Sequence, residues 1–166
     1  MKILLDTNVL LRLADAGRDA HADANDAVDW LAANGYEPVL VPQNLYEYWA
    51  FATRPVENNG LGMTPPQVDQ AISQWLALFR LLLDERGIFK LWRELVAVHE
   101  VKGKTSHDAR LVAAMQRHEV AHLLTFNRQD FLRFTRITTV TPHDILSGVL
   151  SAQASQSDKS GEEKTA

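Results

Sequence analysis

A chain of 166 residues with 46% hydrophobic residues and a net charge of −4 is long enough for one well-buried core and short for two. The negative charge argues against general affinity for polyanions, and the absence of cysteine excludes a disulfide framework and thiolate metal sites while leaving oxygen-ligand metals open. No apolar run approaches membrane-spanning length, and too few apolar residues precede Asp6 for a secretory signal core. A soluble cytoplasmic protein without membrane attachment is expected.

In chain order, Lys2 to Leu5 is the first strand, its Ile3-Leu4-Leu5 run typical of a parallel strand covered on both faces. A helical stretch follows, and then "DANDAVDWLAANG", with Ala24, Val28 and Leu31 at helical spacing and Gly35 as its stop. Val39 to Val41 is the second strand, and "PQNLYEYWAFATRP" is a helix closed before Pro55. The Asn and Gly content of "VENNGLGM" makes it a loop. Thr64 is positioned to cap the next helix and Pro65 to open it, with Val68, Ile72, Trp75 and Leu76 on one face.

A third strand is expected within "LFRLLLD", followed by an amphipathic helix marked by Ile88, Leu91, Trp92 and Leu95. The Gly-Lys loop of "VKGKTSHDARLVAAMQRHE" leads into a further helix capped by Thr105 or Ser106. Ala121 to Thr125 and Ile137 to Val140 complete five strands. Their alternation with helices favours an α/β layer fold with a parallel sheet. The helical spacing of Trp75, Phe79, Trp92 and Leu95 assigns them to core or to a dimer surface rather than to base stacking. From residue 149 on the chain is polar and is expected to form a disordered tail after a domain spanning 1–148.

Parallel sheets bind ligands at the carboxyl ends of their strands, near the point where strand order reverses. Four acids fall at such ends. Asp6 closes the first strand, Glu47 lies on the helix after the second, Asp108 opens the helix entered from "KGKTSH", and Asp130 follows the fourth strand. Converging carboxylates repel one another unless they take up protons or hold a divalent cation, and hard oxygen donors suit Mg²⁺ or Mn²⁺. Each acid also has an ordinary explanation. Asp6 suits a helix cap, Glu47 a solvated helix face, Asp108 the first turn favoured by the macrodipole, and Asp130 the start of the turn "DFLRF". His107 has no clear part in an oxygen-rich site and is assigned to capping or packing.

Together and in order, "ILLDTNVLLRL", "VPQNLYEYWAFATRP", "GKTSHDARLVAAM" and "LLTFNRQDFLRF" resemble the PIN-domain ribonucleases, in particular the VapC-like toxins of bacterial type II toxin–antitoxin pairs, from Met1 to about Leu146. The resemblance implies a three-layer α/β/α sandwich whose five parallel strands run in the order 3-2-1-4-5. It implies a Mg²⁺- or Mn²⁺-dependent endoribonuclease with Asp6, Glu47, Asp108 and Asp130 as its catalytic and metal-binding acids and with Asn8 and Thr125 as polar supports. Hydrolysis by a metal-activated water would leave 5′-phosphate and 3′-hydroxyl ends. Many relatives carry an acid where this chain has Asn127, so Asp130 is taken as the fourth acid and Asn127 as a supporting residue that reaches a metal through its carbonyl or a water. A small antitoxin inserting a segment into the acidic groove and a homodimer are the implied partners besides RNA.

The charge balance agrees with an anionic substrate. The tail from Ser151 holds Asp158, Glu162 and Glu163 against Lys159 and Lys164, so one net negative charge lies there and three on the rest. Setting aside the four candidate acids leaves that remainder with one positive charge. Lys102, Lys104, Arg110, Arg128 and Arg133 lie in or beside the motifs, and Lys104, Arg110 and Arg128 are the expected phosphate contacts. A phosphatase of the haloacid-dehalogenase type needs a second acid two residues after the first, where this chain has Asn8. The remaining rival is a PIN-like module that has lost activity and serves as a binding scaffold.

Overall fold

The computed structural model describes residues 1–148. The polar tail expected from residue 149 on lies outside these residues. The chain alternates strands and helices as β1 (Lys2–Leu5), α1 (Thr7–Ala14), α2 (His21–Ala33), β2 (Glu37–Leu40), α3 (Pro42–Ala52), α4 (Pro65–Leu78), β3 (Arg80–Leu81), α5 (Gly87–Val98), α6 (Thr105–Arg117), β4 (His122–Leu124), β5 (Thr138–Val140) and α7 (Pro142–Leu146). Single 3₁₀ turns at Val56–Asn58 and Arg128–Phe131 interrupt two connections. The five strands form one sheet in the order β3-β2-β1-β4-β5, and every pairing is parallel. Among the described residues no helix is long and apolar enough to cross a membrane.

The alternation of side chains along β1 explains the three layers. Ile3 and Leu5 point into a core shared with α1, α2, α3, α4 and α7, including Leu10, Leu31, Tyr48, Val68 and Ile145. Leu4 points the other way, into a core with Ile88 of α5 and Val112 and Met115 of α6. All three are at most 1% exposed. Burying a branched aliphatic side chain stabilises by roughly 1.5–3 kcal/mol. Strand β1 is therefore the joint between both helical layers, and its carboxyl end is fixed from both sides.

Several boundaries differ from those expected. Val41 ends the strand expected at Val39 to Val41 by taking the N-cap position of α3. The third strand is only the pair Arg80–Leu81, because an edge strand gains ladder bonds on one side alone. Lys104 occupies the N-cap position of α6 without a side-chain cap, so neither Thr105 nor Ser106 caps it and both are helical. The "VENNGLGM" loop contains the 3₁₀ turn at Val56.

Other local signals correspond. Thr64 precedes α4, and its backbone N–H and hydroxyl both donate to Gln67 Oε1 at 2.8 and 3.0 Å. Gly35 takes φ +78° after α2, and Tyr36 N–H donates back to the Leu31 carbonyl at 3.0 Å, a Schellman closure. Trp75 and Phe79 stack with centroids 6.0 Å apart within the first core.

Candidate active site

The carboxyl end of β1 emerges between β2 and β4, where the connections diverge to opposite halves of the sheet. Asp6 follows Leu5 there, in extended backbone (φ −71°, ψ 151°), at the N-cap position of α1, but its side chain makes no cap bond. Its backbone serves the fold instead, with the amide donating to the Leu124 carbonyl at 2.9 Å and the carbonyl accepting from Val9 at 2.9 Å. The carboxylate is left for other work. Its Oδ2 accepts from Asn8 Nδ2 and from Thr125 Oγ1, both at 2.7 Å.

Asn8 and Thr125 form a small polar frame around that carboxylate. Asn8 Nδ2 also donates to Thr125 Oγ1 at 3.1 Å, and Asn8 Oδ1 accepts from the Phe126 amide at 3.1 Å. Thr125 is fully buried, and its hydroxyl accepts from the Asn127 amide at 3.0 Å. The frame joins the start of α1 to the end of β4, more than 100 residues apart in sequence.

Glu47 is held from the other side. Its Oε2 accepts from Thr7 Oγ1 at 2.6 Å and its Oε1 from Gln43 Nε2 at 2.8 Å. Both donors were missed in the sequence, as was Asn44. Gln43 is 5% exposed and Asn44 fully buried. Gln43 Nε2 also donates to the His107 carbonyl at 2.9 Å. Asn44 Nδ2 donates to the Leu5 carbonyl at 3.0 Å, and its Oδ1 accepts from Val41 N–H at 2.9 Å. Their signal was position: "PQN" directly follows a strand in a parallel sheet, where the first helical turn borders the ligand crevice.

Asp108 lies in the first turn of α6 and is half-buried. Asp130 lies in the 3₁₀ turn after β4, exposed, and accepts from Asn127 Nδ2. Electrostatics link the four acids. Burial pushes the Asp6 carboxyl from 3.8 up to about 6, with the Glu47 charge adding to the rise and the Thr125 hydrogen bond opposing it. Burial likewise raises Asp108 to about 6, followed by repulsion from Asp130, Asp6 and Glu47. Among the described residues none of the four has a Lys, Arg or His ion-pair partner.

The basic residues divide. Lys104 is exposed where α6 begins. Arg110 Nη1 donates to Gln43 Oε1 at 3.1 Å, and its Nη2 pairs with Asp84 at 2.9 Å, so it borders the Glu47 network while already engaged. Arg128 pairs with Asp144 on α7 and thereby anchors the 3₁₀ turn. Arg12, absent from the sequence-based candidates, lies over the Phe126 ring at 4.1 Å and donates to the Asn8 carbonyl at 2.9 Å. That places a guanidinium beside the Asp6 frame.

The donor set consists of hard oxygens that repel one another and lack basic partners, which is the chemistry a divalent cation relieves. Among the described residues no three acids or histidines already stand together as a finished ligand cage. The set fits such an ion in donor type and charge, with closure of the side chains left to binding.

The PIN domain family model matches residues 3–137, and the chain belongs to that family. Solved structures share the fold. The VapBC2 complex of Rickettsia felis bound to a promoter DNA fragment aligns at 15% identity and TM-score 0.65, over 85% of this chain and 98% of that one. A toxin–antitoxin complex from Klebsiella pneumoniae aligns at 24% identity and TM-score 0.59, over 84% and 97%. The sarcin–ricin loop cleaving toxin VapC20 of Mycobacterium tuberculosis aligns at 18% identity and TM-score 0.58, over 77% and 92%. No curated protein gives a match.

Proposed function

We propose that this chain is a Mg²⁺- or Mn²⁺-dependent endoribonuclease and the toxin of a toxin–antitoxin pair. The observation that carries the reading is the Asp6 carboxylate. In a PIN-family chain it stands at the end of the central strand, is bypassed as a helix cap, is framed by Asn8 and Thr125, and is raised to about 6 by burial with no cation among the described residues paired to it. Such a group costs stability at neutral pH unless an ion compensates it.

Asp6, Glu47 and Asp108 would hold the ion, with Asp130 at the open rim and Asn127 fixing its orientation. A divalent ion bound there supplies Lewis acidity, easing deprotonation of the attacking water and shielding charge that builds on the scissile phosphate. The protein's own groups do the positioning. Thr125 and Asn8 fix one oxygen of Asp6, Thr7 and Gln43 fix both oxygens of Glu47, and Lys104 attracts the phosphodiester backbone at the mouth of α6. Attack by water with departure of the 3′ oxygen leaves a 3′-hydroxyl and a 5′-phosphate.

The structural neighbours include complexes of a toxin with its antitoxin, which supports a small antitoxin as partner. Its segment would enter the acidic groove and oppose the carboxylates with a basic side chain. Homodimerisation through the apolar faces of α4 and α5, where Leu76, Leu78 and Val98 are exposed, belongs to the same reading. The rival, a PIN-like scaffold without catalysis, draws on the open spacing of the acids.

The test is cleavage of a mixed RNA pool by wild type and Asp6→Asn, each in Mg²⁺, Mn²⁺ and EDTA, with analysis of the ends. Metal-dependent cutting that gives 5′-phosphates and disappears in a folded Asp6→Asn protein supports the reading. Cyclic 2′,3′-phosphate ends would contradict hydrolysis by water, and cutting that persists in EDTA would remove the metal.

A further inference from the structure

A cleft lined by Asp84, Glu85, Ile88, Phe89, Trp92 and Arg110 adjoins the candidate site through Arg110, which donates to the Gln43 that holds Glu47. Its floor is aromatic: Phe89 and Trp92 stack with ring centroids 5.7 Å apart and planes 30° from parallel. Trp92 is fixed by its indole N–H, which donates to the Ser106 carbonyl at 3.0 Å. Phe89 is 64% exposed. Trp92 packs against the second core, as Trp75 and Phe79, stacked at similar separation, pack within the first, but Phe89 projects outward. An apolar ring held at the surface on a locked tryptophan does nothing for the core.

The cleft's charges are balanced and its position is specific. Asp84 pairs with Arg110 at 2.9 Å and Glu85 with Arg117 at 2.5 Å, so neither acid is left to repel a polyanion unopposed. Arg110 reaches Gln43, and Gln43 reaches Glu47. The Ser106 that locks Trp92 lies two residues before Asp108. Lys102 and Lys104, both exposed, flank the same turn. An aromatic shelf and a guanidinium held by Asp84 and Gln43 therefore line a cleft that is linked through Gln43 to Glu47, with the exposed Lys102 and Lys104 just before the helix whose Ser106 fixes Trp92. Aromatic faces interleaved with cations are how proteins hold single-stranded nucleic acid.

We propose that this cleft is a nucleobase subsite, in which one unpaired base beside the scissile phosphate stacks on Phe89 while the adjoining phosphates lie along Lys102 and Lys104. The inference rests on the ribonuclease reading above. It makes Phe89 a determinant of substrate form, because only an unpaired base presents a face to the ring and a continuous duplex does not.

The test compares Phe89→Ala and Phe89→Tyr in the full chain on a short fluorescein-labelled single-stranded RNA of mixed sequence. Cleavage KM is measured in Mg²⁺, and affinity by anisotropy in an Asp6→Asn background that cannot cut. Phe89→Ala is expected to raise KM and weaken binding roughly tenfold, the scale of one base–aromatic stack, with kcat little changed, and Phe89→Tyr to restore both. Abasic substitution next to the cut should weaken the protein with Phe89 by a similar factor and the Ala variant hardly at all. Cleavage by wild type with Phe89→Ala unchanged in KM and affinity would overturn the subsite alone. Unchanged RNA binding together with loss of binding to the antitoxin would also overturn it and assign the cleft to a protein partner. A wild type that neither binds nor cuts RNA would remove the ribonuclease reading and the subsite with it.

Discussion

The two walls of the acidic groove are built differently. On the wall formed by β1, α1 and α3, Asp6 and Glu47 accept hydrogen bonds from Thr7, Asn8, Gln43 and Thr125, and the supporting Asn44 and Thr125 are fully buried. On the wall formed by α6 and the turn after β4, Asp108 accepts no hydrogen bond among the described residues, and Asp130 is exposed with Asn127 as its partner. In the proposed metal site, one wall would be set before an ion arrived and the other would adjust to it. Preorganised ligands lower the cost of binding, while a less constrained pair would accommodate ion and substrate together.

Breaking the fixed wall should have the largest effect. Asp6→Asn is expected to reduce cleavage by at least about a hundredfold, measured on the same RNA pool. It should also leave the protein at least as stable as wild type in EDTA at pH 7.5, since it removes a buried charge. Thermal melts check this, and a strong destabilisation would mean that the carboxylate holds the fold together.

The pH dependence sharpens the same contrast. Asp6 and Asp108 have folded values near 6 against 3.8 in the free residue, so the metal-free fold binds more protons than the unfolded chain between those values. Their contribution is fully present below about pH 4 and is lost as pH rises through 6, up to about 3 kcal/mol for Asp6. Melts in EDTA should therefore show stability falling over that window. Mg²⁺ at about a hundred times its Kd should return about 2.7 kcal/mol at neutral pH.

Thr125→Val tests the frame rather than the ligand. Losing the hydroxyl takes from Asp6 a bond that favours its charged form, so the Asp6 value rises further and metal affinity falls about 10- to 100-fold. Titration of the ion at two pH values reads both. On the adjustable wall, Asp130→Asn should change stability by less than about 0.5 kcal/mol and activity by less than about tenfold. Smallest of all, Lys104→Ala should weaken RNA binding evenly across sequences and flatten its salt dependence by about one phosphate contact.

The same division governs how much was legible in the sequence. Ile3-Leu4-Leu5 announces a strand buried on both faces, and the acid after it announces the crevice, because both signals are local. The 3-2-1-4-5 order came through resemblance, since pairing partners leave no mark on a short apolar run. Strand β3 shrank to two residues because its definition depends on β2 alone. Gln43 and Asn44 read as ordinary helix residues because their partners, the His107 and Leu5 carbonyls, are 64 and 39 residues away. Arg110 and Arg128 looked like free cations for the same reason, with Asp84 and Asp144 brought to them only by folding.

The most direct measurement is Mn²⁺ binding at pH 7.5 by calorimetric titration, on wild type, Asp6→Asn and Asp108→Asn, with circular dichroism to confirm folding. Wild type should bind the ion with proton release, Asp6→Asn should lose binding, and Asp108→Asn should bind more weakly. A folded wild type that takes up no divalent ion would contradict the metal centre and leave the PIN-like scaffold as the better account.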